Sequence, residues 1–299
     1  LWSEAEQARK ADFDPPECFR VDLAGAVLNL AAWGITAPEG FRWLDAPDPL
    51  VMQRAVNLLA ALGATEADGS LTDVGRRMTA FPLPPRLARL MAAGQDEQCV
   101  VELAAIAALM QGEGVAMKGG LNDNLRDSAD YTDFQAEWRA VEKAVDAGFE
   151  AGACTRWGIS ARGAREVWMA YRQLLSIGSR GKSREMPEPD FTAARPAVVR
   201  AMMESFADHV GVRNGVAANT CRMAGGVGGR LAEGSVAFHG EHFVAAEVAE
   251  FSGKAVETRV GRCTLIDPEE LRAVWPERFS GGEAAVFDAV LRRVRLHRR

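Results

Sequence analysis

The stretch LTDVGRRMTAFPLPPRLAR, residues 71–89, decides how the first third of the chain folds. Thr72 is a good N-cap for a short helix, because its hydroxyl can accept from a backbone N–H of the first turn. Val74 and Met78 are spaced so that they lie on one face of that helix. Three prolines, at positions 82, 84 and 85, then break the pattern. The stretch therefore predicts a short capped helix that ends in a proline-rich turn.

Two further helices precede this stretch. Residues 48–62, DPLVMQRAVNLLAAL, are apolar at helical spacing, with Asp48 as the N-cap and a proline in the first turn. Residues 24–34, AGAVLNLAAWG, form a mostly apolar helix that ends at a glycine. A short extended piece at residues 70–72 lies between the second and third helices. Together these elements predict a winged-helix-like unit.

The middle of the chain is again helical. Residues 86–112 and roughly 132–177 have apolar faces at helical spacing, separated by a loop at 111–131 that is rich in glycine and asparagine. A second linker, residues 178–190, ends this region. Core positions are expected for three tryptophans on apolar helix faces: Trp33, Trp138 and Trp168. This region is interpreted as a helical bundle.

After a helix near residues 196–210, the hydrophobic period changes from 3.6 towards 2. Alternating segments begin after Asn219 and include VAFHG, HFVAAEVAEF, VETRVGRCTLI and the terminal VRLHRR. These segments are expected to be strands, with a short helix at 268–274. Five strands and a short helix predict a small closed barrel of the oligonucleotide-binding (OB) type. The whole chain is therefore expected to be α+β: winged helix, helical bundle and barrel.

Composition limits the functional classes. The chain of 299 residues is 48% hydrophobic and carries a net charge of -6, so any basic surface must be local. Its five cysteines form no CxxC pair, which argues against a disulfide framework or a zinc site. No apolar run approaches the length of a membrane span, and we expect a cytoplasmic protein without a membrane partner. The start at Leu1 rather than Met is read as that of a fragment.

Motifs for catalysis are missing from the sequence. It contains neither a GxxxxGK[ST] phosphate loop nor a DExH box, and no Ser, His and Asp arrangement or dinucleotide fingerprint emerges. His239 and His242 suggest a metal pair, but they flank a predicted turn without a well-spaced third ligand. We therefore assign no catalytic or metal-binding residue, and we do not expect this sequence alone to hydrolyse ATP.

Residues 71–89 resemble the signature that follows the motor of DEAH-box helicases. The matching positions are Leu71, Thr72, Gly75, Arg76, Met78, Phe81, Pro82, Leu83, Pro85, Leu87 and Arg89. Residues 1–23 resemble the segment after the last motor motif, and residues 41–64 resemble the winged helix of this family. The barrel segment at 222–250 is similar to that of the bacterial HrpB group. Gly225 and Val227 depart from its pattern, replacing an Asn and an Arg, whereas Arg230 is retained.

The resemblance implies a domain order and a function. Residues 1–23 would connect to a missing motor, 24–85 would be the winged helix, 86–195 a helical ratchet domain, and 196–299 an OB-fold-like barrel with a preceding helix. Such a module would pack against its own RecA-like motor domains, which would bind ATP and Mg²⁺. It would bind single-stranded nucleic acid, usually RNA, and couple motor motion to strand translocation.

Seven basic residues are candidates for contact with a nucleic-acid strand. Arg86 and Arg89 begin the bundle, Lys118 lies in the glycine-rich loop, and Arg222 and Arg230 flank the first barrel turn. Arg293 and Arg295 alternate along the terminal strand, which would give a basic stripe.

Two other functions are considered. The chain could be a protein-interaction scaffold whose barrel docks a regulatory protein or partner enzyme, which suits its acidic balance. It could also be a winged-helix transcription regulator, but residues 72–80 carry only Arg76 and Arg77 as basic residues. Steep salt dependence of oligonucleotide binding would separate the helicase module from the scaffold.

Overall fold

A computed structural model describes residues 22–179, 187–215, 217–252, 256–279, 283–288 and 293–298, the last two ranges by their backbone alone. The chain divides into two compact units, residues 1–92 and 93–299. The predicted connector, residues 1–23, lies almost wholly outside the described residues. The other predicted domain boundaries stay a prediction.

The described part of the first unit includes three helices before the proline-rich turn and a small antiparallel bridge. They are α1 (Ala24–Ala32), α2 (Pro49–Ala61) and α3 (Asp73–Met78), and the bridge joins Thr65 to Leu71. The predicted winged helix is confirmed. Both predicted N-caps are present: an Asp48 carboxylate oxygen accepts from the Leu50 N–H at 2.7 Å, and Thr72 Oγ1 accepts from the Gly75 N–H at 2.9 Å.

The second unit contains the helical bundle, whose described helices are shorter than predicted. Helix α4 (Pro85–Asp96) crosses the division between the units and is followed by α5 (Val100–Gln111), α6 (Asp133–Asp146), α7 (Ala151–Thr155) and α8 (Ala161–Gly178). The predicted helices at 86–112 and 132–177 are thus each interrupted. Gln98, Phe149 and Gly158 have positive φ where the chain turns between these helices.

Two of the three tryptophans pack where the sequence predicts. Trp138 is buried, and the centroids of its ring and the ring of Tyr171 are 4.7 Å apart, with Trp168 beside both. The prediction for Trp33 is wrong, because that side chain is 75% exposed. Trp33 follows the last residue of α1, so it lies beyond the buried stripe of the helix.

Five strands close the barrel in the order β1-β2-β3-β5-β4. They are β1 (Val210–Arg213), β2 (Thr220–Met223), β3 (Gly228–Leu231), β4 (His242–Ser252) and β5 (Val256–Ile266). Helix α9 (Arg195–Ser205) precedes the barrel, and the short helix α10 (Pro268–Val274) follows it. Strands β3 and β5 are parallel and the other pairs are antiparallel. The predicted small barrel is confirmed.

The structure corrects three details of the barrel. VAFH, residues Val236–His239, is a 3-10 helix rather than a strand, and Ser235 caps it. The helix predicted at 196–210 ends at Ser205, so that the first barrel strand starts at Val210. The terminal strand β7 (Arg293–Arg298) exists, but it pairs with β6 (Glu283–Asp288) in a separate two-stranded sheet.

In the long β4–β5 ladder, the face of the strands that is buried in the core changes near Arg262. In β5 the inward-facing core residues Val260 and Cys263 are three positions apart instead of two, and so are Ala245 and Val248 in β4. Arg262 has φ of 51°, a left-handed conformation that is unusual for a side chain with a Cβ. This conformation lets β5 present one face to the core before the distortion and the other face after it.

Candidate nucleic-acid interface

Strand pairing brings three arginines together on the outer face of the barrel. Leu231 and Val260 are paired and buried, so their neighbours Arg230 and Arg259, which are also paired, point outward. Arg222, on the adjacent strand β2, alternates with the buried Cys221 and Met223 and points outward as well. We call Arg222, Arg230 and Arg259 the arginine face.

An aromatic ring lies at the edge of this face. Phe251 in β4 is directly paired with Glu257 in β5, and Glu257 lies two positions before Arg259. Side chains two positions apart on a regular strand point the same way. Phe251 therefore lies on the same side of the sheet as the arginine face, and it is 54% exposed. Surfaces that bind single-stranded nucleic acid commonly combine exposed aromatic rings, on which bases stack, with basic side chains that contact phosphates.

The arginine face carries a local positive charge on an acidic chain. Within the described residues, neither Arg222 nor Arg259 forms an ion pair, whereas Arg230 Nε lies 2.8 Å from an oxygen of Glu257. The three guanidinium groups and this one carboxylate sum to two positive charges. A phosphate backbone would be attracted to this surface, and salt would screen that attraction.

A cavity of about 860 Å³ lies between the helical part of the second unit and the barrel. Its walls come from the loop before α6, from the start of α6 and from β4, β5 and the loop before Val236. Eight Asp or Glu residues line it, against four Lys or Arg residues: Lys118, Arg126, Arg262, and Arg259 of the arginine face, which borders the cavity. Because low-dielectric walls focus the field of the carboxylates, this cavity disfavours phosphate.

Hydrogen bonds from α6 fix the barrel wall of the cavity. The Asp133 carboxylate accepts from Ser235 Oγ at 2.8 Å and from the Val236 and Cys263 N–H groups at 2.7 Å each. One residue earlier, Thr132 Oγ1 lies 2.8 Å from Thr264 Oγ1. These bonds connect the start of α6 to the segment around Val236 and to the end of β5.

A second contact ties α6 to the distorted part of β5. Arg262 Nε donates to a Glu137 oxygen at 3.2 Å and lies 3.8 Å from a Glu247 oxygen. Burial raises the pKa of Glu137, and the Arg262 guanidinium opposes that shift. Burial also raises the pKa of Asp133, against the hydrogen bonds that it accepts. The carboxylates on α6 therefore have a structural role at this wall.

The other predicted contact residues lie elsewhere. Arg86 and Arg89 are on α4, where the Arg89 Nε–H donates to the Leu62 carbonyl at 3.1 Å. Lys118 is exposed at the acidic cavity. Arg293 and Arg295 are in β7, but their side chains lie outside what the structure describes. The structure thus brings Arg222 and Arg230 together and leaves all seven contacts untested.

Sequence reasoning missed Arg259 and Phe251. The alternation in VETRV places Arg259 on the opposite side from Val260, which is a signal for an outward arginine. Its position beside Arg230 depends on the parallel pairing of β3 with β5. The paired residues are 29 positions apart, so no local sequence pattern predicts this pairing. No group of three or more His, Cys, Asp or Glu side chains placed to hold a metal occurs among the described residues.

Comparison with known families agrees with the fold. Residues 55–83 match the winged-helix model of the helicase-associated domain HA2. This range contains the second half of α2, all of α3 and most of the signature at residues 71–89. In this range the chain is thus similar to the winged helix of helicase-associated domains.

Two curated proteins that are similar to about a third of the chain are HrpA proteins. The ATP-dependent RNA helicase HrpA homologue of Haemophilus influenzae is 34% identical over 117 residues, which cover 37% of the chain and 9% of the relative. The ATP-dependent RNA helicase HrpA of Escherichia coli is 36% identical over 107 residues, covering 34% and 8%. The matched part spans less than a tenth of these relatives.

Solved structures of HrpB from Escherichia coli share the fold. The crystal structure of the DExH-box NTPase HrpB has a TM-score of 0.66 at 21% identity and covers 99% of this chain and 31% of that one. A second crystal structure, of the DEAH/RHA helicase HrpB, has a TM-score of 0.63 at 20% identity with the same coverage. Among the residues that the structure describes, no helix is both long and apolar enough to span a membrane.

Proposed function

We propose that the chain binds single-stranded nucleic acid through the arginine face while acting as the accessory part of an ATP-dependent helicase. RNA is the favoured strand, because both curated relatives carry RNA helicase in their names. The binding would be independent of sequence, with guanidinium groups on phosphates and Phe251 stacked on a base.

The observation that carries this proposal is the pairing of Arg230 with Arg259 on an outward face that also holds Arg222 and Phe251. These residues come from four adjacent strands of a closed barrel, so the surface is preformed. A preformed surface loses little conformational entropy when it binds.

The energy for strand movement would come from RecA-like motor domains outside this sequence. The chain has no phosphate loop, so we place ATP and Mg²⁺ in those domains. Movement of the motor against the accessory region would couple hydrolysis to translocation. We also propose a cytoplasmic location, which fits a helicase acting on cellular RNA.

Fluorescence anisotropy with the 299-residue chain tests the proposal. Labelled single-stranded RNA and the matching DNA are titrated at roughly 50 and 200 mM salt. We expect salt-sensitive binding, tighter for RNA, which the Arg222→Ala/Arg230→Ala double variant weakens about tenfold or more. Arg172→Ala, which removes an exposed arginine from α8, is the control and should bind like the wild type.

The competing function is a docking scaffold for a regulatory protein, and the acidic cavity is the observation that favours it. Such a partner would present lysine or arginine to the cavity. Absence of binding to either oligonucleotide at the lower salt concentration would contradict strand binding by this chain and favour the scaffold.

A further inference from the structure

Glu257 forms an ion pair with one of the three arginines of the proposed interface. Its carboxylate oxygen lies 2.8 Å from Arg230 Nε, and the two side chains remain 58% and 59% exposed. Glu257 comes from β5 and Arg230 from β3, so the ion pair joins two strands across the outer face. Within the described residues, Arg222 and Arg259 have no such carboxylate.

A carboxylate and a phosphate compete for the same donors of a guanidinium group. Both accept charge-assisted N–H bonds, and both fit its planar fork. A phosphate that binds Arg230 through Nε must therefore displace Glu257. Displacement is easy, because an ion pair as exposed as this one contributes little to stability.

We propose that Glu257 is a built-in competitor that occupies Arg230 until a strand phosphate displaces it. This inference rests on the proposed function and adds a regulator of the same site. The free surface is partly neutralised by Glu257, which lowers its affinity for polyanions. A bound strand is also released more readily, because Glu257 lies beside Arg230 and can re-form the ion pair with its guanidinium group.

Glu257 is also placed next to the aromatic edge of the face. Phe251 is its direct partner across the β4–β5 ladder. A strand that stacks a base on Phe251 brings its phosphates close to Glu257 and feels like-charge repulsion there. Removal of the carboxylate charge therefore acts on binding in two ways, by freeing Arg230 and by removing this repulsion.

A double-mutant cycle in the 299-residue chain separates these effects. Glu257→Gln is expected to bind a labelled single-stranded RNA about two- to fivefold more tightly than the wild type at roughly 50 mM salt. Most of that gain should disappear in the Arg230→Ala background, because the competitor then has nothing to occupy. Glu250→Gln removes the same charge from an exposed position of β4 and should give less than half of the gain.

The outcomes distinguish this inference from the proposed function. Equal gains in Glu257→Gln and Glu250→Gln, or an undiminished gain in the Arg230→Ala background, would overturn the competitor role while leaving strand binding intact. No binding by the wild type and by all variants would overturn the proposed function and this inference with it.

Discussion

At the scale of single residues, Gly75 explains part of the signature in residues 71–89. A Cβ on Gly75 would overlap the carbonyl oxygen of Ala64, so α3 can pack against the preceding turn only with glycine there. Thr72 reinforces the contact, since its hydroxyl donates to the Gly63 carbonyl at 2.6 Å. The cap and the glycine therefore act together to place α3.

Gly75→Ala should destabilise the first unit by about 1–3 kcal/mol, although alanine favours helices more than glycine does. Urea unfolding followed by circular dichroism measures the change. Gly40→Ala is the control, because a Cβ at Gly40 meets nothing within 4 Å. A Gly75→Ala variant as stable as the wild type would show that the signature glycine has no packing role.

Glu137 gives a pH-dependent prediction. Burial raises its pKa in the folded chain, so its stabilising contribution is present below its unfolded pKa and is lost as pH rises through the folded value. Glu137→Gln imitates the protonated form. The unfolding free energy of the wild type minus that of Glu137→Gln should therefore be larger near pH 5 than near pH 7.5. Chemical unfolding at both pH values tests this, and the reverse trend would contradict the assigned burial.

At the scale of elements, the β4–β5 ladder depends on the backbone of Arg262. The left-handed φ of this residue switches the buried face of β5, and the Glu137 carboxylate on α6 holds its side chain. The strand distortion and the helix contact are thus parts of one arrangement.

Two substitutions separate the backbone from the ion pair. Arg262→Gly and Arg262→Val both lose the contact with Glu137, but only valine must adopt an unfavourable positive φ. We expect the valine variant to be less stable than the glycine variant by about 1–3 kcal/mol in denaturant unfolding. Equal stabilities would mean that the left-handed conformation at this position costs nothing.

At the scale of the whole chain, local signals predicted the element types well. Asp48 and Thr72 predicted the starts of α2 and α3 because a cap acts within a few residues. Alternation predicted the long strands β4 and β5. The short segment Val236–His239 was wrongly predicted as a strand, since it is set by its contact with Asp133, which is over 100 positions away.

The candidate interface was only partly predictable for the same reason. Arg222 and Arg230 lie in one hairpin, so a turn pattern suffices to associate them. Arg259 joins them only through the parallel β3–β5 pair, and Phe251 only through the β4–β5 ladder. The acidic residues of the cavity likewise come from two segments that are far apart in the sequence. The charge of either segment alone does not predict that they meet.

Photo-crosslinking of a single-stranded RNA to the 299-residue chain, with the attached peptides mapped by mass spectrometry, tests the central claim most directly. The account predicts crosslinks in the peptides that contain Phe251, Arg222 and Arg259, and their loss at high salt. Crosslinks confined to the loop around Lys118 or to α4, with none in β2 to β5, would contradict the claim that the arginine face binds the strand.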